Sequence, residues 1–325
     1  MLLPETAALL ELRLAVRAWL RLYRPQGSVC VGLSGGADSL ALTAAAVAEA
    51  ESVDAVIIDH RLQEGSGDVA RAAADQARAL GVRSVQVLAV DVDGRGSLEA
   101  AARDARYRAL DSARGDLPVL LGHTLDDQAE TVLLGLARGS GGRSIQGMQA
   151  FDDPWGRPLL GVRRSVTRAA CVDLSITPWE DPHNTNDEFT RVRLRHEALP
   201  LLEEILGGGV AEALARTAAQ LRDDGEVLDE HAATVLGHVV VDGGVEVATL
   251  ADSASAIRRR ALRSWLRDRG AKALTDKQLR AVDALVTDWR GQGGVAIGGG
   301  TPEARLVVVR RRGRLIVGLE DRRRV

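Results

Sequence analysis

The stretch 29-VCVGLSGGADSLAL-42 decides the fold of this chain. An apolar run ends at Leu33, two glycines follow, and a helical apolar pattern begins near Asp38. Gly35 and Gly36 lack Cβ atoms where the backbone must turn, which also lets an anion approach the amides. Because a helix N-terminus presents free N–H groups and a positive dipole end, this turn predicts a phosphate site.

Two interpretations of Asp38 stay open from the residues alone. In a phosphate site, Ser34 and Ser39 would add hydroxyl donors, and Asp38 would hold a cation or orient a donor. Asp and Ser are also frequent helix N-caps, so a plain cap without a ligand is the alternative. The turn is not a Walker A loop, since the pattern GxxxxGK(S/T) is missing and the only lysines are Lys272 and Lys277.

Strand and helix patterns alternate along the first half of the chain. Short apolar runs suited to buried parallel strands stand at 29–33, 53–58, 85–90 and 119–121. Helical patterns follow them at 40–50, 69–80, 98–113 and 125–137. The alternation predicts an α/β fold with a doubly wound, mostly parallel sheet, whose ligands bind beyond the carboxyl ends of the strands.

The second half of the chain has a different pattern. Helices are predicted at 210–240, 254–269 and 276–289, followed by a closing β-pair of 305–310 and 315–319. Gly207, Gly208 and Gly209 end the preceding helix and predict a hinge. We therefore expect two domains, 1–206 and 207–325, the second mainly helical and ending in a short β-pair.

Charge is distributed unevenly between the halves. Residues 257–325 contain 18 Lys/Arg against 7 Asp/Glu, although the whole chain has a net charge of -3. Arg259, Arg263 and Arg267 fall at i, i+4 and i+8, which places them on one stripe of a helix. The excess predicts an acidic partner such as RNA, with a solvated basic surface as the alternative.

Composition narrows the class of protein further. Cys30 and Cys171 are the only cysteines, so neither a CxxC motif nor a disulfide framework is available. No apolar stretch is long enough to span a bilayer, and the first residues carry acids instead of a basic leader. We expect a cytoplasmic protein with no membrane partner.

Polar residues follow the second and fourth predicted strands. Asp59 and His60 would lie at the sheet edge beside the glycine turn, where His60 taken alone reads as a turn residue. Asp126, Asp127 and Glu130 begin a helix and could bind Mg²⁺, orient an amine or accept its proton. A capping-box-like start, in which Thr124 pairs with the acid three residues later, is the alternative.

Arginines gather in two further segments. Arg103 and Arg106 lie on neighbouring faces of a predicted helix, with surface ion pairs as the alternative. Arg191, Arg193 and Arg195 alternate with apolar residues. They would share a face in a strand, whereas in a helix only the first and third would; either arrangement could hold phosphates through the guanidinium fork.

Taken in order, these motifs resemble those of the tRNA(Ile)-lysidine synthase family, within the PP-loop ATP pyrophosphatase superfamily. The resemblance covers residues 28–202. It is carried by SGGADS at 34–39, DH at 59–60, LEAAARDARYRAL at 98–110, HTLDDQAET at 123–131, RPLL at 157–160, DPHN at 181–184 and RVRLRH at 191–196.

The resemblance implies a two-step ligation. ATP, with Mg²⁺, would adenylate the C2 oxygen of the first anticodon cytidine in a CAU-bearing tRNA(Ile). Free L-lysine would then displace AMP and give lysidine, which decodes AUA. A homodimer is left open. The alternatives are a PP-loop enzyme that thiolates a tRNA base, and a non-catalytic protein that binds ATP and tRNA.

The resemblance also implies residue roles, written here as expectations. The ATP phosphates would lie on Ser34, Gly35, Gly36, Ala37, Asp38 and Ser39, with Asp38 near Mg²⁺, and the adenosine near Asp59 and His60. Arg103 would stabilise phosphate charge, His123 would assist adenylation, and Asp126, Asp127 and Glu130 would bind or deprotonate lysine. Contacts to tRNA or AMP would come from Arg191, Arg193, Arg195, His196, Arg259 and Arg263.

Four positions depart from the usual family pattern. Arg61 replaces a Gly and Gln63 an Arg after the second strand, Thr124 replaces a second His, and Val192 replaces an Asn. These departures leave the glycine turn and the carboxylates intact, so we expect them to alter secondary contacts.

Overall fold

The structure, a computed structural model, describes residues 3–24, 27–61, 65–91, 98–139, 141–181 and 189–321, with the backbone alone at 98–100. The chain forms two compact units. Unit 1 comprises residues 1–134 and 147–216, and unit 2 comprises residues 135–146 and 217–325. The domain boundary between 206 and 207 stays a prediction.

Unit 1 is built around a six-stranded sheet in the order β3-β2-β1-β4-β6-β5. Its strands are β1 (Val29–Gly32), β2 (Val53–Asp59), β3 (Ser84–Ala89), β4 (Val119–Leu120), β5 (Phe151–Asp152) and β6 (Trp155–Gly156). Strand β1 pairs in parallel with β2 and β4, β2 with β3, and β4 with β6, whereas β5 pairs antiparallel with β6. The predicted, mostly parallel sheet is confirmed.

Helices pack on both faces of this sheet. The helices of this part of the chain are α1 (Ala7–Tyr23), α2 (Ala37–Glu49), α3 (Ser66–Leu80), α4 (Leu98–Ala113), α5 (Leu125–Arg138), α6 (Arg164–Asp173), α7 (Thr190–Arg193) and α8 (Leu199–Leu206). Along β1, Val29 and Val31 belong to one hydrophobic core with Leu40 of α2, while Cys30 belongs to another with Leu110 of α4. Successive residues of β1 thus pack on opposite faces of the sheet, as in a doubly wound fold.

Two local features of unit 1 differ from the sequence-based expectation. Helix α1 was not predicted, although it buries Leu9, Leu12 and Val16 completely. The run at 85–90 was expected to be a buried strand, but the side chains of β3 are exposed or half-buried. That expectation is wrong because β3 is the outermost strand of the sheet.

Unit 2 combines helices with a five-stranded antiparallel sheet in the order β7-β8-β11-β10-β9. The helices are α9 (Val210–Val239), which begins in unit 1, α10 (Val247–Ala251), α11 (Ser255–Asp268) and α12 (Asp276–Thr287). The strands are β7 (Val240–Val241), β8 (Gly244–Glu246), β9 (Val295–Gly300), β10 (Ala304–Arg311) and β11 (Arg314–Asp321). The predicted helices and closing pair are confirmed, but three further strands extend that pair into a sheet.

In the part of the chain that the structure describes, no helix is both long and apolar enough to cross a membrane.

Candidate functional site

The turn between β1 and α2 is shaped by its glycines and serines. Gly35 has a left-handed backbone with φ +85°, which residues with a Cβ rarely adopt. The Ser39 hydroxyl donates to the Gly36 carbonyl (2.9 Å) and accepts from the Ser34 amide (3.2 Å). Gly36 is the N-cap of α2, and no described side chain caps this helix. The first amides, beginning with Ala37, are therefore left for a ligand.

Asp38 does not cap its own helix, and its carboxylate instead contacts α6. It accepts a short hydrogen bond from the Thr167 hydroxyl and lies 3.5 Å from Nε of Arg164. The interpretation of Asp38 as a plain N-cap is therefore wrong. Burial raises the pKa of Asp38, and Thr167 and Arg164 partly offset that rise.

Arg164 joins Asp38 to the carboxylates of α5. Its Nη2 lies 2.6 Å from Oδ1 of Asp127, and its Nη1 lies 3.5 Å from Oε1 of Glu130. Its backbone N–H donates to Oδ2 of Asp126 at 2.8 Å. Arg164 thus contacts Asp38 and all three acids of α5.

The three acids of α5 differ in their surroundings. Asp127 accepts hydrogen bonds from the N–H and the hydroxyl of Thr124, both at 2.8 Å, so it caps α5 as well as facing Arg164. Burial acts to raise the pKa of Asp127, but Arg164 and Thr124 lower it on balance. Side-chain exposure is 23% for Asp126, 13% for Asp127 and 0% for Glu130, which leaves Asp126 the most accessible.

The arginine-rich segment after residue 189 is helical, and its arginine side chains lie in different surroundings. Arg195 lies in a π-helical turn (Leu194–Ala198), with its Nε 2.8 Å from Oε1 of Glu130, so it joins the carboxylate cluster. Arg193 instead pairs with Glu197 at the surface, at 2.9 Å. Arg191 is half-buried and His196 is exposed.

A cavity of about 610 Å³ opens at the carboxyl ends of β1 and β2, beside the glycine turn. Five predicted site residues line it: Ser34, Asp59, His60, Arg103 and His123. Its volume is typical of small-molecule sites, and its position is that expected for a ligand of a parallel sheet. Of the residues predicted to bind the nucleotide, Ser34, Asp59 and His60 thus line one cavity, whereas residues 35–39 do not line it.

The cavity wall is rich in cationic and unpaired groups. Burial lowers the pKa of Arg106, and no carboxylate of a described residue pairs with it. The side chain of Glu99, the acid of the same sequence segment, lies outside the described residues, so the surface ion-pair alternative stays a prediction. The Nδ1 atoms of His60 and His123 are buried without a hydrogen-bond partner among the described residues. Burial lowers the pKa of His123 to about 4, so its imidazole is neutral at pH 7. An anionic ligand would supply the missing acceptors.

Two close backbone approaches hold the turn in place. The backbone N–H of Trp179 donates to the Gly35 carbonyl at 3.0 Å, and Trp179 also lines the cavity. Gly122 follows β4, and a Cβ there would lie 3.0 Å from backbone atoms of Asp38 and Ser39. Glycine at 122 therefore lets β4 approach the first turn of α2.

An Mg²⁺ ion would fit here only with oxygens from its substrate. Across the described residues, no group of three His, Cys, Asp or Glu side chains converges as a metal site. Mg²⁺ commonly takes one or two protein carboxylates and completes its octahedron with water and substrate phosphates. The buried carboxylate of Asp38, next to the phosphate turn, fits that pattern.

Three of the four residues that depart from the family pattern lie among the described residues. Arg61 has φ +52° and lines the cavity, Thr124 is fully buried, and Val192 is buried. Gln63 lies outside the described residues, as do positions 182–184 of the DPHN motif, whereas Asp181 lines the cavity.

Sequence reasoning missed several residues of this site. Arg164 and Thr167 contact Asp38 across 126 and 129 positions of the chain, and no local pattern indicates such a contact. Arg157 is buried near His123, and its charge acts to lower the pKa of that histidine. Of these three residues, only Arg157 could have been identified from the sequence, because it begins the RPLL motif. The remaining predicted residues, Arg259 and Arg263, lie on α11 in unit 2.

Comparison with known proteins places two family models on the chain. A PP-loop domain matches residues 11–202, and a TilS substrate binding domain matches residues 246–316. The tRNA(Ile)-lysidine synthase of Rhodococcus erythropolis is 79% identical over 325 residues, with 100% of both chains covered. That of Mycobacterium tuberculosis is 56% identical over 326 residues, covering 98% of this chain and 99% of the relative.

Among solved structures, the U34-tRNA thiolase NcsA of Methanococcus maripaludis has a similar fold. Its TM-score is 0.53 at 17% identity, over 67% of this chain and 80% of that one. At this identity the likeness concerns the fold alone, and it agrees with the parallel sheet described above.

Proposed function

Since the chain belongs to the tRNA(Ile)-lysidine synthase family, we propose that it joins free lysine to the first anticodon cytidine of a CAU-bearing tRNA(Ile). The ligase consumes ATP and releases AMP and diphosphate. We further propose Mg²⁺ as the ion and the cytoplasm as the location. Assembly as a homodimer stays a prediction.

One observation carries the nucleotide half of this proposal. Arg106 and two histidines, His60 and His123, border one cavity of about 610 Å³, and the Nδ1 atoms of both histidines have no hydrogen-bond partner among the described residues. Ser34, also in the cavity wall, begins the turn that leads to the uncapped amides of α2. Leaving buried donors and charges without partners is costly, so such groups in one cavity indicate a polar, anionic ligand. A nucleoside triphosphate has the size and the charge to satisfy them.

In the first step, the C2 oxygen of cytidine attacks the α-phosphorus of ATP, and diphosphate leaves. The α2 amides and Arg103 stabilise the negative charge on the phosphates, since donors fixed in advance need no rearrangement. His123, neutral at pH 7, positions the reacting groups by hydrogen bonding and does not act as a cation. Mg²⁺, when bound at Asp38, would neutralise phosphate charge.

In the second step, the lysine amine attacks C2, and the C2–O bond breaks as AMP leaves. The amine must also lose a proton to a nearby base. Asp126 is the most exposed of the three α5 acids, so we assign it the contact with the incoming amine. Asp127 and Glu130 are held by Arg164 and Arg195, so they position the site.

The cysteines disfavour the thiolation alternative. Burial raises the pKa of Cys30 to about 12 and that of Cys171 to about 11. Because the thiolate is the nucleophile in sulfur transfer, both thiols would be unreactive at neutral pH.

The test is incorporation of labelled lysine into a CAU-bearing tRNA(Ile) transcript in the presence of ATP and Mg²⁺. We expect the wild-type chain to form acid-insoluble label and Asp38→Asn to lose it, because the variant lacks the carboxylate that would hold Mg²⁺ beside the phosphates. Asp75→Asn is the matched control, since Asp75 is an exposed acid of α3 paired with Arg78. Wild-type protein that binds tRNA and ATP but never incorporates lysine would refute the ligase assignment.

A further inference from the structure

Residues 142–146 form a segment that is anchored to the long helix α9. Nε2 of Gln146 donates to the Leu221 carbonyl at 3.0 Å, and Arg222 donates to the carbonyl of Gln146. A Cβ at Gly225 would lie 2.3 Å from Nε2 of Gln146. The side chain of Gln146 therefore lies close against α9 at Gly225.

Arg143 of the same segment pairs with Asp229 of α9, and this carboxylate also pairs with an arginine of α11. Nη2 of Arg143 lies 2.7 Å from Oδ2 of Asp229, and Nη1 of Arg260 lies 2.7 Å from Oδ1 of the same residue. Asp229 thus fixes two arginines from different elements, and the exposed fractions of Arg143 and Arg260 are 44% and 22%. One carboxylate balances only one of the two charges.

Two further arginines extend this charge along α11. Among the described residues, neither Arg263 nor Arg267 forms a salt bridge. Burial lowers the pKa of Arg263, and the charges of Arg143, Arg267 and Arg260 lower it further, so these guanidiniums are close enough to repel one another. The one nearby acid that raises it, Asp276, is also hydrogen-bonded to Arg280.

We propose that Arg143, Arg260, Arg263 and Arg267 form a phosphate-binding surface for the tRNA backbone, with Asp229 as the residue that positions the first two. This proposal rests on the proposed function for the identity of the RNA. Arg143 is its new member, because it comes from the segment after α5 and lies outside the basic stripe visible in the sequence of α11.

The chemistry favours phosphate as the ligand. Each guanidinium has five N–H donors, and Asp229 accepts from a single terminal nitrogen of each. The remaining donors can bind phosphate oxygens in the forked geometry that arginine prefers. Like charges held together by packing lose their mutual repulsion when an anion binds between them.

The test measures binding of the full chain to a CAU-bearing tRNA(Ile) transcript by fluorescence anisotropy across a salt titration. We expect Arg143→Gln to weaken binding and to reduce the slope of log Kd against log salt by about 0.9, which is one phosphate contact. Arg143→Lys should keep the slope because it keeps the charge. Thermal unfolding of each variant verifies that unit 2 is folded.

Arg305→Gln is the matched control, since Arg305 is also an exposed arginine of unit 2 in an ion pair, with Glu320. An Arg143→Gln slope equal to that of wild type, or a loss equalled by Arg305→Gln, would overturn the proposal. The outcome is separable from that of the ligase assay. Binding needs neither ATP nor lysine, so a wild-type chain that binds tRNA without incorporating lysine would refute the ligase assignment and leave this proposal standing.

Discussion

The guanidinium of Arg164 lies close to four carboxylates, one on α2 and three on α5. Its contacts reach Asp38 of α2 and Asp127 and Glu130 of α5, and its side chain is only 15% exposed. Acids this close repel one another unless a cation lies between them. Arg164 therefore holds the first turns of α2 and α5 in one arrangement.

Arg164→Gln should lower the free energy of unfolding by about 3 kcal/mol at pH 7, because it leaves buried carboxylates without their cation. The loss should shrink as the pH falls towards about 4. In the wild type, the pKa of Asp127 is lowered on balance, so the stabilisation is present above the unfolded-state pKa and disappears on acidification. In the variant, repulsion raises the carboxylate pKa values, and protonation relieves it. Urea unfolding at several pH values measures both effects.

The control for Arg164 is Arg168→Gln, one turn later on α6. Arg168 and its partner Glu180 are 59% and 63% exposed, so their pairing is worth at most about 1 kcal/mol. We expect little change in stability and no pH dependence. A loss at Arg164 that is constant with pH would show that packing, and not charge, is the cause. Arg164→Lys should recover part of the loss, since lysine keeps the charge without the fork.

At the scale of elements, the spacing of apolar residues predicts those helices and strands that are long enough to show a repeating pattern. Strands β1 to β4 and helices α2 to α5 were predicted close to their observed bounds because each has its own apolar pattern. Strands of two or three residues, such as β5 and β8, are too short to show alternation. The π-helical turn that points Arg195 at Glu130 also has no sequence signature, so only tertiary contacts reveal it.

The contact between β4 and α2 can be tested through a glycine. In Gly122→Ala the new Cβ would lie 3.0 Å from the backbone of Asp38 and Ser39, and backbone cannot rotate away as a side chain can. We expect the first turn of α2 to shift by a few tenths of an ångström. The KM for ATP should rise roughly tenfold, since small misplacements of fixed donors are costly. Stability should fall by about 1–3 kcal/mol from overpacking.

Gly161→Ala is the matched control in unit 1, because a Cβ at 161 would have no heavy atom within 4 Å. We expect its KM for ATP and its stability to stay at wild-type values. If both alanine variants raise KM equally, the effect is not specific to the turn. Steady-state lysine incorporation at varied ATP measures KM, and urea unfolding measures stability.

At the scale of the whole molecule, the chain consists of two compact units, each with its own hydrophobic core. The cavity and the carboxylate cluster are lined by residues of unit 1, whereas the basic surface of α11 belongs to unit 2. Chains of this kind commonly depart from two-state unfolding. Ligand binding can then stabilise one unit without the other.

A non-hydrolysable ATP analogue should therefore protect unit 1 selectively in hydrogen–deuterium exchange of the full chain. At about 100 times its Kd, a ligand adds about 2.7 kcal/mol to the unit that binds it. Core amides of β1 and β2 that exchange through unfolding of unit 1 should then slow by roughly 100-fold. Amides of β10 and β11 should exchange at the ligand-free rate, because their core contains no cavity residue. Equal protection of both sheets would show that the two units unfold together and that nucleotide binding also stabilises unit 2.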